Sequence, residues 1–283
     1  MKTKLKLTLL SVLLLLGMNT YSQDTNFWIF LCFGQSNMEG FPGVQPEDKG
    51  PVDPRFQVLA AVNSPNQGRE QGKWSTAVPP LCRPGTGLCP VDYFGRVMVS
   101  NLPPNIKVGV VSVAVAGCKI EMFGQDTYQQ YAATAPQWMT GIIKTYGGNP
   151  YQRLVDMAKL AQKDGVIKGI LLHQGESNTN DKEWPNKVKG IYDHLLQDLG
   201  LQADQVPLLA GELVNADQKG ACASMNKIID DLPATIPTAH VISSAGCTCR
   251  QDHIHFNPAG YRELGTRYAN EMLTLTGNKP QTP

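Results

Sequence analysis

The sequence predicts an α/β protein with a three-layer α/β/α, doubly wound architecture around a five-stranded parallel sheet. Continuously apolar runs predict five strands, at 27–33, 108–114, 169–173, 207–210 and 240–243. Runs of this kind indicate strands buried on both faces, as in a parallel sheet that helices cover on each side. Segments with helical spacing alternate with the strands, at 93–101, 151–163, 186–199, 223–231 and 259–275. This alternation favours the doubly wound class.

The amino terminus predicts export. Three lysines precede a short apolar run over 7–16, and the small-x-small triplet Thr20-Tyr21-Ser22 follows. This pattern is typical of a secretory signal peptide, and the run is shorter than the roughly 20 apolar residues that a membrane span needs. We expect a signal peptide at 1–22 and a single domain at 23–283, secreted or periplasmic.

The amino-acid composition limits the kinds of partner that the protein is expected to bind. The apolar fraction of 42% supports a real core, and the formal net charge is only +1. Because acidic and basic residues are mixed along the chain, no electrostatic field attracts nucleic acid or an anionic membrane. We therefore expect a neutral substrate, no nucleic acid and no membrane.

Seven cysteines in an exported chain predict some disulfides, and the odd number leaves at least one free thiol. Cys82 and Cys89 flank a short loop that a disulfide could close, and Cys222 could reach Cys247 or Cys249. Cys32 lies in an apolar strand and is expected to be a buried free thiol.

The segment 40–91 is rich in Gly, Pro and Asn and has little periodicity. We expect it to be a long irregular excursion over the active-site edge, since long loops in compact domains are often functional.

The first predicted strand runs directly into Gly34-Gln35-Ser36-Asn37-Met38. A serine at this exit, ahead of a helix N-terminus, has backbone N–H groups directed at it, including its own. Such a serine can act as a nucleophile whose backbone N–H helps to hold an oxyanion. The alternative is that Ser36 only caps a helix.

The last strand is followed by Asp252-His253-Ile254-His255-Phe256-Asn257-Pro258. A serine nucleophile needs an imidazole base, and the base needs a partner that fixes its tautomer. The spacing of three residues lets Asp252 fold back to His255, whereas the adjacent His253 tends to point away. The alternative is a pair of surface hydrogen-bonding groups.

The third strand ends in His173-Gln174-Gly175-Glu176-Ser177-Asn178. Polar groups directly after a buried strand are costly unless they find partners. Gln174 or Asn178 could donate an amide N–H to the oxyanion, and Glu176 is an alternative acid for the histidine. Gly117, after the second strand, offers an N–H that can approach a ligand closely. The alternative is a polar turn that caps the next helix.

The sequence resembles the SGNH/GDSL hydrolases, which have a flavodoxin-like fold. The segments that carry this resemblance are GQSNM, the Gly117 segment, HQGESN and DHIHFNPAGY. The resemblance is closer to the branch with the sialate O-acetylesterase-like proteins and the acetylxylan esterases of carbohydrate esterase family six. It implies Ser36 as nucleophile, His255 as base, Asp252 as acid, and an oxyanion hole of the Ser36 N–H, Gly117 and Gln174. Wider SGNH enzymes have GDS and GxND instead, so Asn178 is the substitute donor and Glu176 the substitute acid.

These observations predict a serine esterase that removes O-acetyl groups from a carbohydrate without metal or cofactor. Trp74, Tyr93 and Trp138 could supply flat faces for sugar rings. One alternative is a metal-dependent hydrolase that uses Asp252, His253, His255 and Cys247 or Cys249. Another is a carbohydrate-binding protein without catalysis. The particular acetylated sugar and the oligomeric state are left open.

Overall fold

The computed structural model describes residues 23–41 and 43–279. The predicted signal peptide at 1–22 lies outside the described residues. The strands are β1 Asp24–Gly34, β2 Phe56–Leu59, β3 Trp74–Thr76, β4 Lys107–Ala114, β5 Gly165–His173, β6 Leu208–Gly211 and β7 Ala239–Ile242. The helices are α1 Ser36–Glu39, α2 Pro90–Asn101, α3 Tyr128–Ala133, α4 Gln137–Thr145, α5 Pro150–Ala161, α6 Trp184–Leu199, α7 Asn226–Asp230, α8 Leu232–Thr235 and α9 Pro258–Leu275. In this part of the chain, no helix has the length and apolarity that crossing a membrane requires.

The strands form one sheet in the order β3-β2-β4-β1-β5-β6-β7, in which only the β2–β3 pair is antiparallel. The predicted α/β class with a mostly parallel sheet is confirmed. The predicted number of five strands is wrong, because the described residues form seven. Both additional strands come from the segment 40–91, which was predicted to be irregular. They are short edge strands of four and three residues, too short for alternation to stand out.

Two hydrophobic clusters pack on opposite faces of the sheet, and successive residues of β1 alternate between them. Ile29, Leu31 and Phe33 belong to one cluster, whereas Phe30 and Cys32 belong to the other. The first cluster includes α5 and α6, and the second includes α2 and α9. Helices therefore cover both faces of the sheet, which explains why β1 is apolar at every position from 29 to 33.

The helix-start signals of the sequence are confirmed at α9. The Asn257 side chain accepts a hydrogen bond from Gly260 N at 2.9 Å, and Pro258 occupies the first turn. Both features stabilise a helix N-terminus. The predicted helix at 223–231 is shorter than expected, since only 226–230 is α-helical. The start of α9 matters for the site because it fixes the chain directly after His255.

All seven cysteines lie among the described residues and all are free thiols. The structure therefore contains neither the Cys82–Cys89 disulfide nor a disulfide of Cys222 with Cys247 or Cys249. Cys82 instead lies 3.3 Å from the Tyr146 hydroxyl, between Sγ and Oη. The expectation that Cys32 is a buried free thiol is confirmed.

Candidate active site

The three central strands end at the same level, and the candidate residues follow them. Gly34 at the end of β1 pairs with Ala114 of β4 on one side and with His173 of β5 on the other. The loops after these strands therefore leave the sheet side by side, at the carboxyl edge where doubly wound proteins gather their reactive groups.

Ser36 is the first residue of α1, directly after a tight strand exit. At Gly34, a Cβ atom would lie 2.1 Å from the His173 carbonyl oxygen, so only glycine fits. Gln35 N donates to the same carbonyl oxygen at 3.1 Å, which fixes the turn against β5. As the first helical residue, Ser36 has an N–H without an intrahelical acceptor. The turn thus presents both the hydroxyl and the backbone N–H of Ser36.

We expect Gly34→Ala to destabilise the protein by about 2 to 4 kcal/mol, because the new methyl group must displace the backbone of β5 or β1. Urea unfolding measures this loss, provided that the free energy of unfolding depends on urea concentration with the same slope in both proteins. Gly190→Ala is a control, since a Cβ at Gly190 in α6 meets nothing within 4 Å. This control should be neutral or slightly stabilising, and equal stabilities of the two variants would contradict the steric argument.

His255 lies between Ser36 and Asp252. Its Nε2 is 2.9 Å from Ser36 Oγ, and its Nδ1 is 2.9 Å from Asp252 Oδ2. Asp252 Oδ1 also accepts hydrogen bonds from the backbone N–H groups of Ile254 and His255, each at 2.9 Å. Partial burial disfavours the charged carboxylate, but these hydrogen bonds outweigh it and hold the pKa of Asp252 below its usual value. Asp252 therefore both shapes the loop and orients the imidazole as an anion.

Asn37 ties the serine turn to the histidine loop. Its Nδ2 donates to the Ile254 carbonyl oxygen at 3.0 Å, and its Oδ1 accepts from Phe256 N at 3.3 Å. These two residues flank His255. The Tyr261 hydroxyl of α9 donates to the same Oδ1 at 2.5 Å. The buried amide thus fixes the separation of Ser36 and His255.

Three hydrogen-bond donors beside Ser36 Oγ and the cavity have no acceptor among the described residues: the N–H groups of Ser36 and Gly117 and the Nε2 of Gln35. Gly117 has φ of 66°, a left-handed conformation, and its N–H and that of Ser36 donate to no described protein acceptor. Gln35 lines one cavity together with Ser36 and Gly117, and it was not predicted as a donor. Its Oε1 accepts from Gln174 Nε2 at 3.1 Å and Ser177 N at 3.3 Å, and no described residue accepts from its Nε2. The signal was present in the sequence as the replacement of GDS by GQS.

The two amides that were predicted as oxyanion donors lie behind the cavity instead. Gln174 Nε2 donates to Asn178 Oδ1 at 2.8 Å, to Cys118 O at 3.2 Å and to Gln35, while its Oε1 accepts from Trp184 Nε1. Asn178 Nδ2 donates to the carboxylates of Glu121 and Asp181. Neither Gln174 nor Asn178 is among the residues that line the cavity. Gln174 contacts Gln35 directly, and Asn178 contacts Gln174.

Glu176 contacts Asn37 rather than His255. Its Oε1 accepts from Asn37 Nδ2 at 2.5 Å and lies 3.9 Å from His173 Nδ1, while its Oε2 is buried without a hydrogen-bond partner. Burial raises the pKa of Glu176 to about 7. The acid that contacts His255 in the structure is Asp252.

The raised pKa of Glu176 predicts a pH-dependent effect of Glu176→Gln. The folded chain retains the Glu176 proton up to about pH 7, whereas an unperturbed glutamate loses it near 4.5. The contribution of Glu176 to the free energy of unfolding of the wild type is therefore fully present below pH 4.5 and is lost as the pH rises through 7. We therefore expect the free energy of unfolding of Glu176→Gln, relative to that of wild type, to rise by about 1 to 3 kcal/mol from pH 5 to pH 8.

Urea unfolding of both proteins at pH 5 and 8 measures this difference. Burial raises the pKa of Asp92 to about 7 and lowers that of His173 to about 4, but both groups are present in each protein. Their contributions therefore cancel to first order. A difference in stability that does not change with pH would contradict a buried, protonated Glu176.

The predicted metal cluster does not assemble. His253 has φ of 55° and turns away from His255, with Nδ1 3.0 Å from the Gln218 carbonyl oxygen and 3.7 Å from Cys249 Sγ. Over residues 23–41 and 43–279, no three His, Cys, Asp or Glu side chains converge on a possible metal position. The ligand set proposed for a metal-dependent hydrolase is therefore wrong.

The catalytic candidates open into a cavity of about 500 Å³. Its lining includes Ser36, His255, Gly117, Trp138 and Phe41. A cleft of similar size, about 470 Å³, lies near the opposite edge of the sheet and contains none of the candidates.

Two of the three aromatic residues suggested for sugar binding lie elsewhere. Trp74 packs against Phe27 and donates to Asp164 at 2.9 Å, near the amino-terminal ends of the strands. The Tyr93 hydroxyl donates to Asp48 at 3.1 Å, outside the cavity. Of these three aromatic residues, Trp138 lines the cavity together with Ser36 and His255.

Comparison with known proteins identifies the class of protein. The sequence model of a family described as "carbohydrate esterase, sialic acid-specific acetylesterase" matches residues 26–274. Among solved structures, a protein from Arabidopsis thaliana has 20% identity and a TM-score of 0.67, covering 89% of this chain and 99% of its own. NanS has 16% identity and a TM-score of 0.60 over 90% of this chain and 99% of its own.

A carbohydrate acetylesterase from Xanthomonas citri also has 16% identity and a TM-score of 0.60, over 87% of this chain. This chain spans 56% of that longer protein. At these identities the solved structures show a shared fold. The family defines a carboxylic ester hydrolase, and the solved structures share its α/β fold. The chain belongs to the sialic acid-specific acetylesterase family of carbohydrate esterases.

Proposed function

We propose that this protein is an exported serine esterase that removes O-acetyl groups from a carbohydrate, with Ser36, His255 and Asp252 as its catalytic triad. The observation that carries the proposal is the continuous contact from Asp252 through His255 to Ser36, 2.9 Å at each step, at the mouth of the cavity. The family supports an acetylated carbohydrate as substrate.

In the first half-reaction, His255 Nε2 accepts the Ser36 proton as Ser36 Oγ attacks the acetyl carbonyl carbon. The carbonyl oxygen becomes negative and accepts hydrogen bonds from the Ser36 and Gly117 N–H groups and Gln35 Nε2. Asp252 stabilises the imidazolium that forms. His255 then donates its proton to the departing sugar oxygen, which leaves an acetyl-serine.

In the second half-reaction, water replaces the sugar alcohol. His255 accepts a proton from the water as its oxygen attacks the acetyl-serine, and the same donors hold the second oxyanion. Return of that proton to Ser36 Oγ releases acetate. The proton transfers between Ser36 and His255 use atoms that are already 2.9 Å apart, and Asp252 already contacts the imidazole that carries the proton.

Acetate release tests the function directly. Purified protein is given O-acetylated sialic acid and acetylated xylan, with and without EDTA, and acetate is measured. We expect turnover of at least one of them that EDTA leaves unchanged, because the proposed triad needs no metal. Loss of turnover in EDTA would contradict the serine mechanism. Sugar binding without acetate release would favour the non-catalytic carbohydrate-binding alternative.

Export is a separate part of the proposal and rests on the sequence of 1–22 alone. Expression of the full chain in a bacterial host should give a mature protein that begins near Gln23, in the periplasm or the medium. Amino-terminal sequencing checks the site. An uncleaved protein that stays in the cytoplasm would contradict export.

A further inference from the structure

Two large aromatic rings at the catalytic cavity are more than half exposed. Phe41 is 51% exposed and Trp138 is 57% exposed. The Phe41 ring is already engaged by the protein, because it stacks on the His255 imidazole with 3.9 Å between centroids. The Arg250 guanidinium lies 5.1 Å from the same Phe41 centroid. Phe41 therefore shields the base, and Trp138 is the ring left open to a ligand.

Trp138 has no evident structural role on its own helix. It lies in α4, where the core contacts come from Met139 and Ile143, which are 2% and 5% exposed. Burial of a tryptophan ring is strongly favourable, so leaving one exposed beside a cavity needs a reason.

The indole N–H of Trp138 is also free, unlike those of the other tryptophans. Trp28, Trp74 and Trp184 each donate to a protein oxygen, at 3.2, 2.9 and 2.5 Å. Within the part of the chain that the structure describes, no acceptor contacts the Trp138 indole N–H. Trp138 thus combines an open apolar face with an unused donor.

The Trp138 ring lies against the oxyanion segment. A Cβ on Gly117 would be 2.8 Å from a ring carbon of Trp138, so the ring packs directly on the Gly117 backbone. A group esterified to an acetyl held at Ser36 and Gly117 therefore lies beside this ring.

We propose that Trp138 is the platform for the sugar ring that carries the acetyl ester. Its open face stacks on the C–H face of a pyranose, and its indole N–H donates to a sugar hydroxyl. Sugars match this combination because their rings present apolar C–H groups on one face and hydroxyls around the edge. This inference rests on the proposed esterase function and adds to it the residue that recognises the sugar.

The test compares an ester that has a sugar with one that lacks it. Acetate release is measured from an O-acetylated methyl glycoside and from ethyl acetate, for wild type, Trp138→Ala and Trp138→Phe. We expect Trp138→Ala to lower kcat/KM for the sugar ester about tenfold or more, mainly through KM, since one stacked ring and one hydrogen bond are lost. Its kcat/KM for ethyl acetate, which has no sugar, should fall at least about fivefold less than that for the sugar ester. Trp138→Phe retains stacking without the N–H and should lie between.

Leu275→Ala is the matched control, because Leu275 is 38% exposed and lies at the far end of α9. It should leave both substrates unaffected. Equal losses on the two esters in Trp138→Ala would show that the ring only supports Gly117, and no loss on either would show that it does not bind sugar. Both results overturn the proposal.

Failure of the esterase function is a separate result, in which wild type releases no acetate from any ester. Trp138 is still tested then, by titration of the deacetylated sugar against tryptophan fluorescence in wild type and Trp138→Phe. A saturable change that Trp138→Phe abolishes supports the platform. An identical change in both proteins, or none, overturns it.

Discussion

Replacing Ser36 with alanine is expected to lower kcat by about 10⁴-fold or more. The reason is that Ser36 Oγ is the atom that forms the acetyl-enzyme, and its 2.9 Å contact with His255 Nε2 is the route by which its proton leaves. Without the hydroxyl, only direct attack by water remains, supported by the oxyanion donors and binding. Acetate release under saturating substrate measures the loss.

The fold should survive this change, because Ser36 loses only its hydroxyl and its backbone N–H remains. Circular dichroism and urea unfolding of Ser36→Ala should therefore match wild type within about 1 kcal/mol. Ser100→Ala is the control, since Ser100 is exposed on α2 and its hydroxyl contacts only its own helix, donating to the Val97 carbonyl oxygen and accepting from the neighbouring Asn101 amide among the described residues. Full activity in Ser36→Ala would show that the serine mechanism is wrong.

The strands that position the site were predictable, whereas the edge of the sheet was not. The residues of β1, β4 and β5 are apolar in long runs because helices cover both faces of the sheet there. β2 and β3 are too short to show a period, and β3 is exposed enough to carry Ser75 and Thr76. β2 pairs with β4, and β3 pairs with β2. Local sequence does not report the pairing with β4, which is distant in the chain.

The candidate site was also predictable only in part. Asp252 and His255 are three residues apart in one loop, so their contact followed from spacing. Which amide lines the cavity could not be predicted from the sequence, because Gln35, Gln174 and Asn178 all lie at strand exits. The hydrogen bonds of Gln174 and Asn178 to distant residues, including Cys118 and Glu121, decide that they lie behind the cavity. Such long-range pairing is a property of the folded chain.

The second large effect is expected for Asp252→Asn, with kcat lower by about 10² to 10⁴-fold. An asparagine can still accept the backbone N–H groups of Ile254 and His255 through Oδ1, so the loop should be retained. It removes the negative charge that balances the imidazolium, and its Nδ2 can donate to His255 Nδ1 and so favour the wrong tautomer. Steady-state acetate release on one sugar ester measures kcat.

Glu176→Gln is the matched carboxylate-to-amide change at a residue that lines the cavity, and we expect it to lower kcat by no more than about tenfold. The two carboxylates differ in their contacts, since Asp252 Oδ2 is 2.9 Å from the His255 ring whereas Glu176 accepts from Asn37 and contacts His173. They also differ in charge, because burial raises the pKa of Glu176 to about 7 while hydrogen bonds hold that of Asp252 low. An acid that orients the base must be ionised whenever the enzyme turns over, and only Asp252 meets this condition below pH 7. The reverse order of losses in the two variants would assign the role to Glu176.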